Sequence, residues 1–159
     1  MKKLKFKIIL VISITAISYI CSAYWYQLML IRGNSMYPTY RNMQLTILEK
    51  SPDAIRAGDV IAFRCEGIQT LLVKRVVALP GQSVWIKDGM LYIDGRLDAH
   101  ALSRGYIQDA GLAGTRLTLS GGEYFVLGDN YASSRDSRHT EIGCVKYQNI
   151  NGRVWPHKK

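Results

Sequence analysis

The longest apolar segment of the chain lies near its N-terminal end. Residues 8–31 form a run of 24 positions without a charged side chain, and four lysines stand among the seven positions before it. A membrane-spanning helix needs about 20 consecutive apolar residues. The pattern predicts a basic N-terminal segment over residues 1–7, a transmembrane helix over 8–31 and a separate domain over 32–159.

The charges that flank this segment predict its orientation. Four lysines precede the apolar run, whereas Arg32 alone follows it closely. Because positively charged flanks stay in the cytoplasm, the N-terminus is expected there and the domain on the extracytoplasmic side. The aromatic residues 24–26 suit the far membrane interface, where tyrosine and tryptophan are enriched.

A cleavable signal peptide is the alternative interpretation of the same segment. A basic start, the apolar stretch 8–20 and the small residues 21–23 fit such a peptide. The apolar character continues through residues 24–31, beyond what a signal peptide needs. Both interpretations place the domain from Gly33 onward outside the cytoplasm.

After the membrane segment, short β-prone runs alternate with turn residues. Residues 97–114 interrupt this pattern and are predicted to form a surface loop. Many short strands separated by turns indicate an all-β barrel or sandwich. The predicted strands cover residues 44–49, 59–65, 69–79, 115–119, 123–128, 143–147 and 150–156, together with a hairpin over 83–96 whose turn is Asp88-Gly89.

Charge and composition argue against two kinds of partner. The net charge is +9, and the positions outside the N-terminal lysines carry a mild, scattered excess without a basic, aromatic stripe. Nucleic acid is therefore not expected as a partner. Three histidines and the cysteine spacing do not resemble a metal site, so neither a metal nor a cofactor is expected. A disulfide between Cys65 and Cys144 is chemically permitted outside the cytoplasm, but their spacing does not decide it.

The longest predicted strand carries two cations among aliphatic residues. Lys74 shares one strand face with Leu72 and Val76, and Arg75 lies on the other face. An edge strand with solvated cations would explain the pattern. Alternatively, one cation is buried, which disfavours its charged form and produces a neutral amine able to act as a general base. Arginine stays protonated, so Lys74 is the candidate base.

A candidate for the group that such a base would deprotonate lies just after the membrane segment. Ser35 stands in the sequence GNSMYPTY, where Gly33 allows the backbone to bend. A lysine base is one known way to activate a serine hydroxyl. In such a turn, the N–H of Ser35 is expected to point at a developing oxyanion. An ordinary solvated turn is the alternative.

A third polar cluster follows a predicted strand in the sequence GDNYASSRDSRH, residues 128–139. It is either a hydrophilic surface loop or a buried polar network. In the second interpretation, Asp136 pairs with Arg138 and a serine hydroxyl holds the neutral lysine by hydrogen bonding.

Taken together, these stretches resemble the successive sequence motifs of bacterial type I signal peptidases. The resemblance implies a mainly antiparallel β domain that rests on the bacterial cytoplasmic membrane. It also implies cleavage of exported precursors after small residues at positions −1 and −3. The matching stretches are GNSMYPT (33–39), GDVIAF (58–63), KRVVALPG (74–81) and GDNYASSRDSR (128–138), with further similarity over 86–95 and 150–156.

The resemblance also implies roles for individual residues. Ser35 matches the nucleophile of the family and Lys74 matches its general base. The sequence departs from some members at Gly33, where they have a serine that joins the oxyanion hole, and at residues 131–132, where the family usually has Arg-Asp. The supporting positions are Ser134, which orients the lysine, Asp136 and Arg138, which form an acid–base pair, and Asp129, the first acid of the same motif.

Three alternative functions stay open at this point. The altered 131–132 pair favours a dedicated peptidase for pro-pilins of conjugative transfer, with the same dyad and a narrower substrate. An inactive membrane-anchored module that holds signal-peptide-like segments would keep the fold. A soluble self-cleaving repressor uses similar Ser-Lys chemistry, but the apolar run over 8–31 argues against it. The expected partners are membrane lipids and precursor proteins or a pro-pilin.

Overall fold

The computed structural model describes residues 2–50, 52, 54–65 and 68–155. Two α-helices are present in this part of the chain, α1 (Lys2–Trp25) and α2 (Ala99–Leu102), and short 3₁₀ turns cover Gly111–Gly114, Tyr131–Ser133 and Tyr147–Asn149. The strands are β1 (Tyr26–Leu30), β2 (Leu45–Glu49), β3 (Val60–Cys65), β4 (Ile68–Ala78), β5 (Ser83–Lys87), β6 (Met90–Ile93), β7 (Arg96–Leu97), β8 (Leu117–Thr118), β9 (Glu123–Leu127), β10 (Val145–Lys146) and β11 (Ile150–Trp155).

The strands form two sheets in which neighbouring strands run antiparallel. The larger sheet has seven strands in the order β1-β2-β11-β3-β4-β9-β10, and the smaller has four in the order β7-β6-β5-β8. The predicted all-β, mainly antiparallel fold with one N-terminal apolar helix is therefore confirmed. The hairpin predicted around Asp88-Gly89 is the β5–β6 pair, in which Lys87 lies opposite Met90.

The apolar run at the N-terminus is not helical throughout. We expected the helix to reach Ile31, but α1 ends at Trp25 and the next five residues form β1. The reason is strand pairing: β1 pairs along its whole length with one edge of β2. In addition, the N–H of Lys50 donates to the carbonyl of Trp25 (2.8 Å). The part of α1 from Lys7 to Trp25 is long and apolar enough to cross a membrane.

Strand β4 lies inside the larger sheet and separates two groups of core side chains. Val76 and Leu72 pack on one face, and Leu71 and Val73 pack on the other, as the alternation in the sequence predicts. Strand β3 pairs with β4 along most of its length, whereas β9 pairs with it only from Arg75 onward. One edge of β4 just before Arg75 is therefore unpaired within the described ranges.

The segment over residues 97–114 is not the surface loop that we expected. It contains β7, α2 and a 3₁₀ turn, and Ala101, Ile107 and Ala113 are buried in the core that includes the smaller sheet. Asp98 caps α2 by accepting hydrogen bonds from the backbone N–H groups of His100 (2.9 Å) and Ala101 (3.0 Å). These small, widely spaced apolar residues produce no recognisable period in the sequence.

We predict that Gly152→Ala destabilises the domain by about 1–3 kcal/mol, because it forces a side chain into a closely packed backbone. A Cβ atom at this position would lie 2.3 Å from the carbonyl oxygen of Glu49. Thermal unfolding of the purified protein measures the effect. Gly121→Ala is the matched control, since a Cβ atom there meets no atom within 4 Å. Equal melting temperatures for the two variants would contradict the packing argument.

Candidate active site

The turn that carries Ser35 is anchored by its buried neighbours. Met36 and Tyr40 are fully buried, and the N–H of Tyr40 donates to the carbonyl of Met36 (2.8 Å). Gly33 adopts a positive φ of 88°, which glycine tolerates best, and its N–H donates to Oδ1 of Asn42 (2.8 Å). Ser35 itself is half-buried, so its hydroxyl is held in place without being sealed from solvent.

The amine of Lys74 lies against the hydroxyl of Ser35. Nζ of Lys74 is 2.8 Å from Oγ of Ser35 and donates a second hydrogen bond to the carbonyl of Val73 (3.0 Å). Only 4% of the lysine residue is exposed. Strand β4 and the turn after β1 thus bring together two residues that are 39 positions apart in the sequence.

The surroundings of Lys74 weaken its charged form. Burial lowers the pKa of Lys74 from 10.5 to about 8, and the negative charge of Asp136 acts in the opposite direction. Desolvation dominates because a buried ammonium ion loses its hydration. Near pH 8, about half of the lysine side chains are neutral and able to accept a proton. The pair can therefore perform serine-based nucleophilic chemistry in mildly alkaline conditions.

Asp136 and Arg138 form a buried ion pair inside the 128–139 loop. Nε of Arg138 lies 2.8 Å from Oδ1 of Asp136, and Nη2 lies 3.0 Å from Oδ2. Nη2 also donates to the backbone carbonyls of Tyr131 (3.0 Å) and Ser134 (3.2 Å). Asp136 in turn accepts the N–H of Gly128 (3.0 Å). This loop is a buried polar network and not a solvated surface loop.

Asp129 lies at the centre of a second buried ion cluster. Arg75 donates to both of its carboxylate oxygens, from Nε (2.8 Å) and from Nη2 (2.7 Å). Nε of Arg104 lies 3.0 Å from Oδ1, and the hydroxyl of Thr39 donates to Oδ2. The cluster connects β4, the segment after α2 and the Ser35 turn.

Two members of this cluster were missed in the sequence. Arg75 was noted only as the cation on the opposite face of β4, although a buried arginine within a sheet needs a carboxylate partner. That requirement, together with the nearby acidic motif, is the signal that would have identified it. No comparable signal in the sequence identifies Arg104, because residues 97–114 show no regular pattern of apolar and polar positions.

Ser134 is buried at the site, but its hydroxyl makes no hydrogen bond within the described residues. The expected hydrogen bond from Ser134 to Lys74 is therefore not formed. The side chain packs against Gly128 instead: a Cβ atom at 128 would lie 2.1 Å from Oγ of Ser134 and 2.5 Å from the carbonyl oxygen of Ser35. Only glycine allows these three segments to approach so closely.

A groove of about 380 Å³ adjoins the reactive pair. Its walls are residues 29–32, at the end of β1, and residues 70–73 of β4, and Ser35 and Lys74 lie within it. The unpaired edge of β4 borders this groove, so an extended peptide can reach the hydroxyl of Ser35.

Among the residues that the structure describes, the remaining candidate ligands do not assemble into a further centre. Across the described ranges, no three His, Cys, Asp or Glu side chains cluster as metal ligands would. Cys65 and Cys144 are both free thiols. Burial raises the pKa of Cys144 to about 11, which keeps this thiol protonated.

Comparisons with known proteins agree on one family. Residues 4–156 match the family described as signal peptidase, peptidase S26. Signal peptidase I U of Bacillus subtilis (strain 168) is 32% identical over 150 residues, which cover 87% of this chain and 80% of that protein. Signal peptidase I of Bacillus caldolyticus is 37% identical over 147 residues, with 81% and 79% covered. The crystal structure of a signal peptidase I from Enterococcus faecalis V583 superposes with a TM-score of 0.51 at 30% identity, over 63% of this chain and 96% of that one.

We expect Gly128→Ala to reduce the hydrolytic rate at least about tenfold, because displacing a reacting group by about 1 Å can cost about 100-fold. The added methyl group would collide with Ser134 and with the backbone of Ser35. Steady-state kinetics with a peptide substrate measure the loss, with Gly121→Ala as the control. A Gly128→Ala enzyme within twofold of the wild type would contradict the described packing.

Asp136→Asn should move the acid limb of the pH–rate profile to lower pH. The negative charge of Asp136 raises the pKa of Lys74, so its removal lowers that pKa further below about 8. The position of the limb is informative even though Arg138 loses its partner and the maximal rate falls. Glu141→Gln, which changes an exposed acid, is the control and should leave the midpoint in place. An unchanged or higher midpoint in Asp136→Asn would refute the assignment.

Proposed function

Because the chain belongs to the signal peptidase S26 family, we propose that Ser35 and Lys74 form the catalytic dyad of a membrane-anchored endopeptidase. Family membership makes the chain a serine peptidase, and its substrates are precursor proteins that carry signal peptides. The observation that carries the proposal is the 2.8 Å contact between the buried amine of Lys74 and the hydroxyl of Ser35. Asp129, Ser134, Asp136 and Arg138 support the dyad without touching the substrate.

In the first half-reaction, the neutral amine of Lys74 removes the proton of the Ser35 hydroxyl. The oxygen then attacks the scissile carbonyl carbon and forms a tetrahedral oxyanion. The backbone N–H of Ser35 stabilises this oxyanion. When the C–N bond breaks, the ammonium group of Lys74 gives its proton to the departing amine, and the signal peptide stays bound to Ser35 as an ester.

In the second half-reaction, Lys74 is again neutral and accepts a proton from a water molecule. The resulting hydroxide attacks the ester carbonyl, and a second oxyanion forms in the same place. Collapse of this intermediate breaks the bond to Ser35, whose oxygen recovers its proton from Lys74. The dyad returns to its starting state, and the signal peptide leaves with a free carboxyl group, which gives its proton to the solvent.

We place the substrate in the groove between residues 29–32 and 70–73. An extended segment can pair with the unpaired edge of β4, a mode of recognition in which the main chain supplies the hydrogen bonds. Side chains two positions apart point to the same side of an extended strand, so positions −1 and −3 face one wall. The groove lining includes Ile31, Met36 and Leu71, which supports apolar rather than charged side chains at these two positions. The preference for small residues is proposed from the resemblance to the family.

We further propose that α1 is a retained anchor, with residues 1–7 in the cytoplasm and the catalytic domain outside a bacterial cytoplasmic membrane. The lysines at the start of α1, at the N-terminal end of its apolar part, support this orientation. The direct continuation of α1 into β1 supports retention. An exposed apolar row across β1, β2 and β11 supports contact with the bilayer; it includes Leu28 (68% exposed) and Trp155 (50% exposed).

The unusual Tyr131-Ala132 pair has a packing explanation that does not require a special substrate. The hydroxyl of Tyr131 donates to the carbonyl of Ala101 (3.0 Å) and so connects the 128–139 loop to α2. A strain depleted of its own signal peptidase tests substrate breadth. Rescue of growth by this protein is expected for general signal peptide cleavage, whereas failure together with cleavage of a pro-pilin would identify a dedicated peptidase.

Ser35→Ala and Lys74→Arg should each lower precursor cleavage by at least about 1,000-fold, because each removes one half of the nucleophile–base pair. Lys74→Arg retains a cation, but arginine stays protonated and cannot act as a base. Purified variants and a labelled precursor measure the loss. Ser133→Ala removes an exposed hydroxyl nearby and is the control expected to stay active. Turnover close to that of the wild type in either dyad variant would disprove the mechanism.

A further inference from the structure

We propose that Arg104, which lies outside the matching motifs, is a positioning residue that holds Ser35 in place through Asp129. The proposal rests on the proposed dyad and adds to it a residue from the segment after α2. Arg104 is separated from the Ser35 turn by about half of the domain sequence. Its connection to the nucleophile passes through two contacts.

The first contact is the ion pair between Arg104 and Asp129. Nε of Arg104 lies 3.0 Å from Oδ1 of Asp129, and the arginine side chain is 16% exposed. Nη1 also donates to the carbonyl of His100 (2.7 Å), and the side chain is hydrogen bonded to Tyr131. The guanidinium group is therefore fixed at several points and can restrain the carboxylate it binds.

Asp129 depends on this contact because its carboxylate is almost completely buried. Its Oδ1 atom accepts from Nε of Arg75 (2.8 Å) and lies 3.0 Å from Nε of Arg104, so two arginines share one oxygen. A buried carboxylate needs both opposite charge and hydrogen bonds to offset its lost hydration. Without Arg104, the carboxylate keeps Arg75 but is free to shift toward it.

The second contact joins the residues around Asp129 to the nucleophile. The N–H of Asn130 donates to the carbonyl of Ser35 (3.0 Å), and its side-chain amide donates to the carbonyl of Asn34 (3.2 Å). The hydroxyl of Thr39 binds Asp129 directly from the same turn. A shift of Asp129 is therefore transmitted to Ser35 from both ends of the turn.

The same geometry separates an effect on Ser35 from an effect on Lys74. The pKa of Lys74 responds to its burial and to the charge of Asp136. The amine of Lys74 makes its hydrogen bonds to Ser35 and Val73, and none of its contacts in the described residues is to Asp129 or Arg104. Loss of Arg104 should therefore lower kcat, leave KM nearly unchanged and leave the acid limb of the pH–rate profile in place.

Full-length Arg104→Met protein in detergent micelles tests the proposal with a labelled precursor. We expect kcat to fall about tenfold and KM to change less than about twofold, as for a misplaced reacting group. Arg104→Lys keeps the positive charge beside Asp129 and should recover part of the loss. The control is Arg64→Met, which removes an exposed arginine of β3. Melting temperatures establish that the compared variants are folded at the assay temperature.

A double-mutant cycle with Asp129→Asn tests whether Arg104 acts through Asp129. In the Asp129→Asn protein, Arg104→Met should change kcat by less than about twofold, because the effects of substitutions at two contacting residues are not additive. Independent, multiplied effects would overturn the proposal, as would wild-type kcat in Arg104→Met. If the Met variant does not fold, Arg104→Gln replaces it in the same measurements, and wild-type kcat in Arg104→Gln would also overturn the proposal. These outcomes are distinct from failure of the dyad, which would appear as an active Ser35→Ala enzyme.

Discussion

The site depends on one hydrogen bond, between the amine of Lys74 and the hydroxyl of Ser35. In the proposed mechanism, its catalytic value comes from the burial of the lysine and not from its charge. A solvated lysine would be protonated at neutral pH and unable to accept a proton. Strand β4 lies inside the larger sheet, so Lys74 is removed from water without being paired to a carboxylate. This arrangement costs stability, and the surrounding fold has to offset that cost.

Two buried ion clusters surround Lys74 and organise the chain around it. Asp136 and Arg138 fold the 128–139 loop on itself, and Asp129 connects the Ser35 turn to Arg75 and Arg104. Buried ion pairs of this kind add little net stability compared with apolar packing, but breaking one is costly. Their contribution is geometric: they define where the nucleophile turn meets β4. Asp136 also limits how far the pKa of Lys74 falls. One carboxylate therefore both forms the ion pair with Arg138 and adjusts the pKa of Lys74.

Much of this arrangement could be predicted from the sequence. The alternation of apolar residues along a strand, and the residues of a motif, depend only on positions that are close together in the chain. The alternation in β4 placed Lys74 and Arg75 on opposite faces, and short strands between turns indicated the β architecture. The end of α1 was not predictable, because residues 26–30 are apolar and only pairing with β2 makes them a strand. The role of Arg104 and the packing of residues 97–114 depend on contacts far apart in sequence. Ser134 shows the converse case, in which a motif position is buried as expected but makes a different contact.

The most direct test of this account is a titration of the Lys74 side chain itself by heteronuclear NMR, in the folded protein with selectively labelled lysine. Assignment by comparison with Lys74→Arg identifies its signal. The account predicts a midpoint at about 8, far below the ordinary value of 10.5. A midpoint at or above 10.5 would show that the amine is protonated throughout the neutral range. It would contradict the claim that burial converts this lysine into a base.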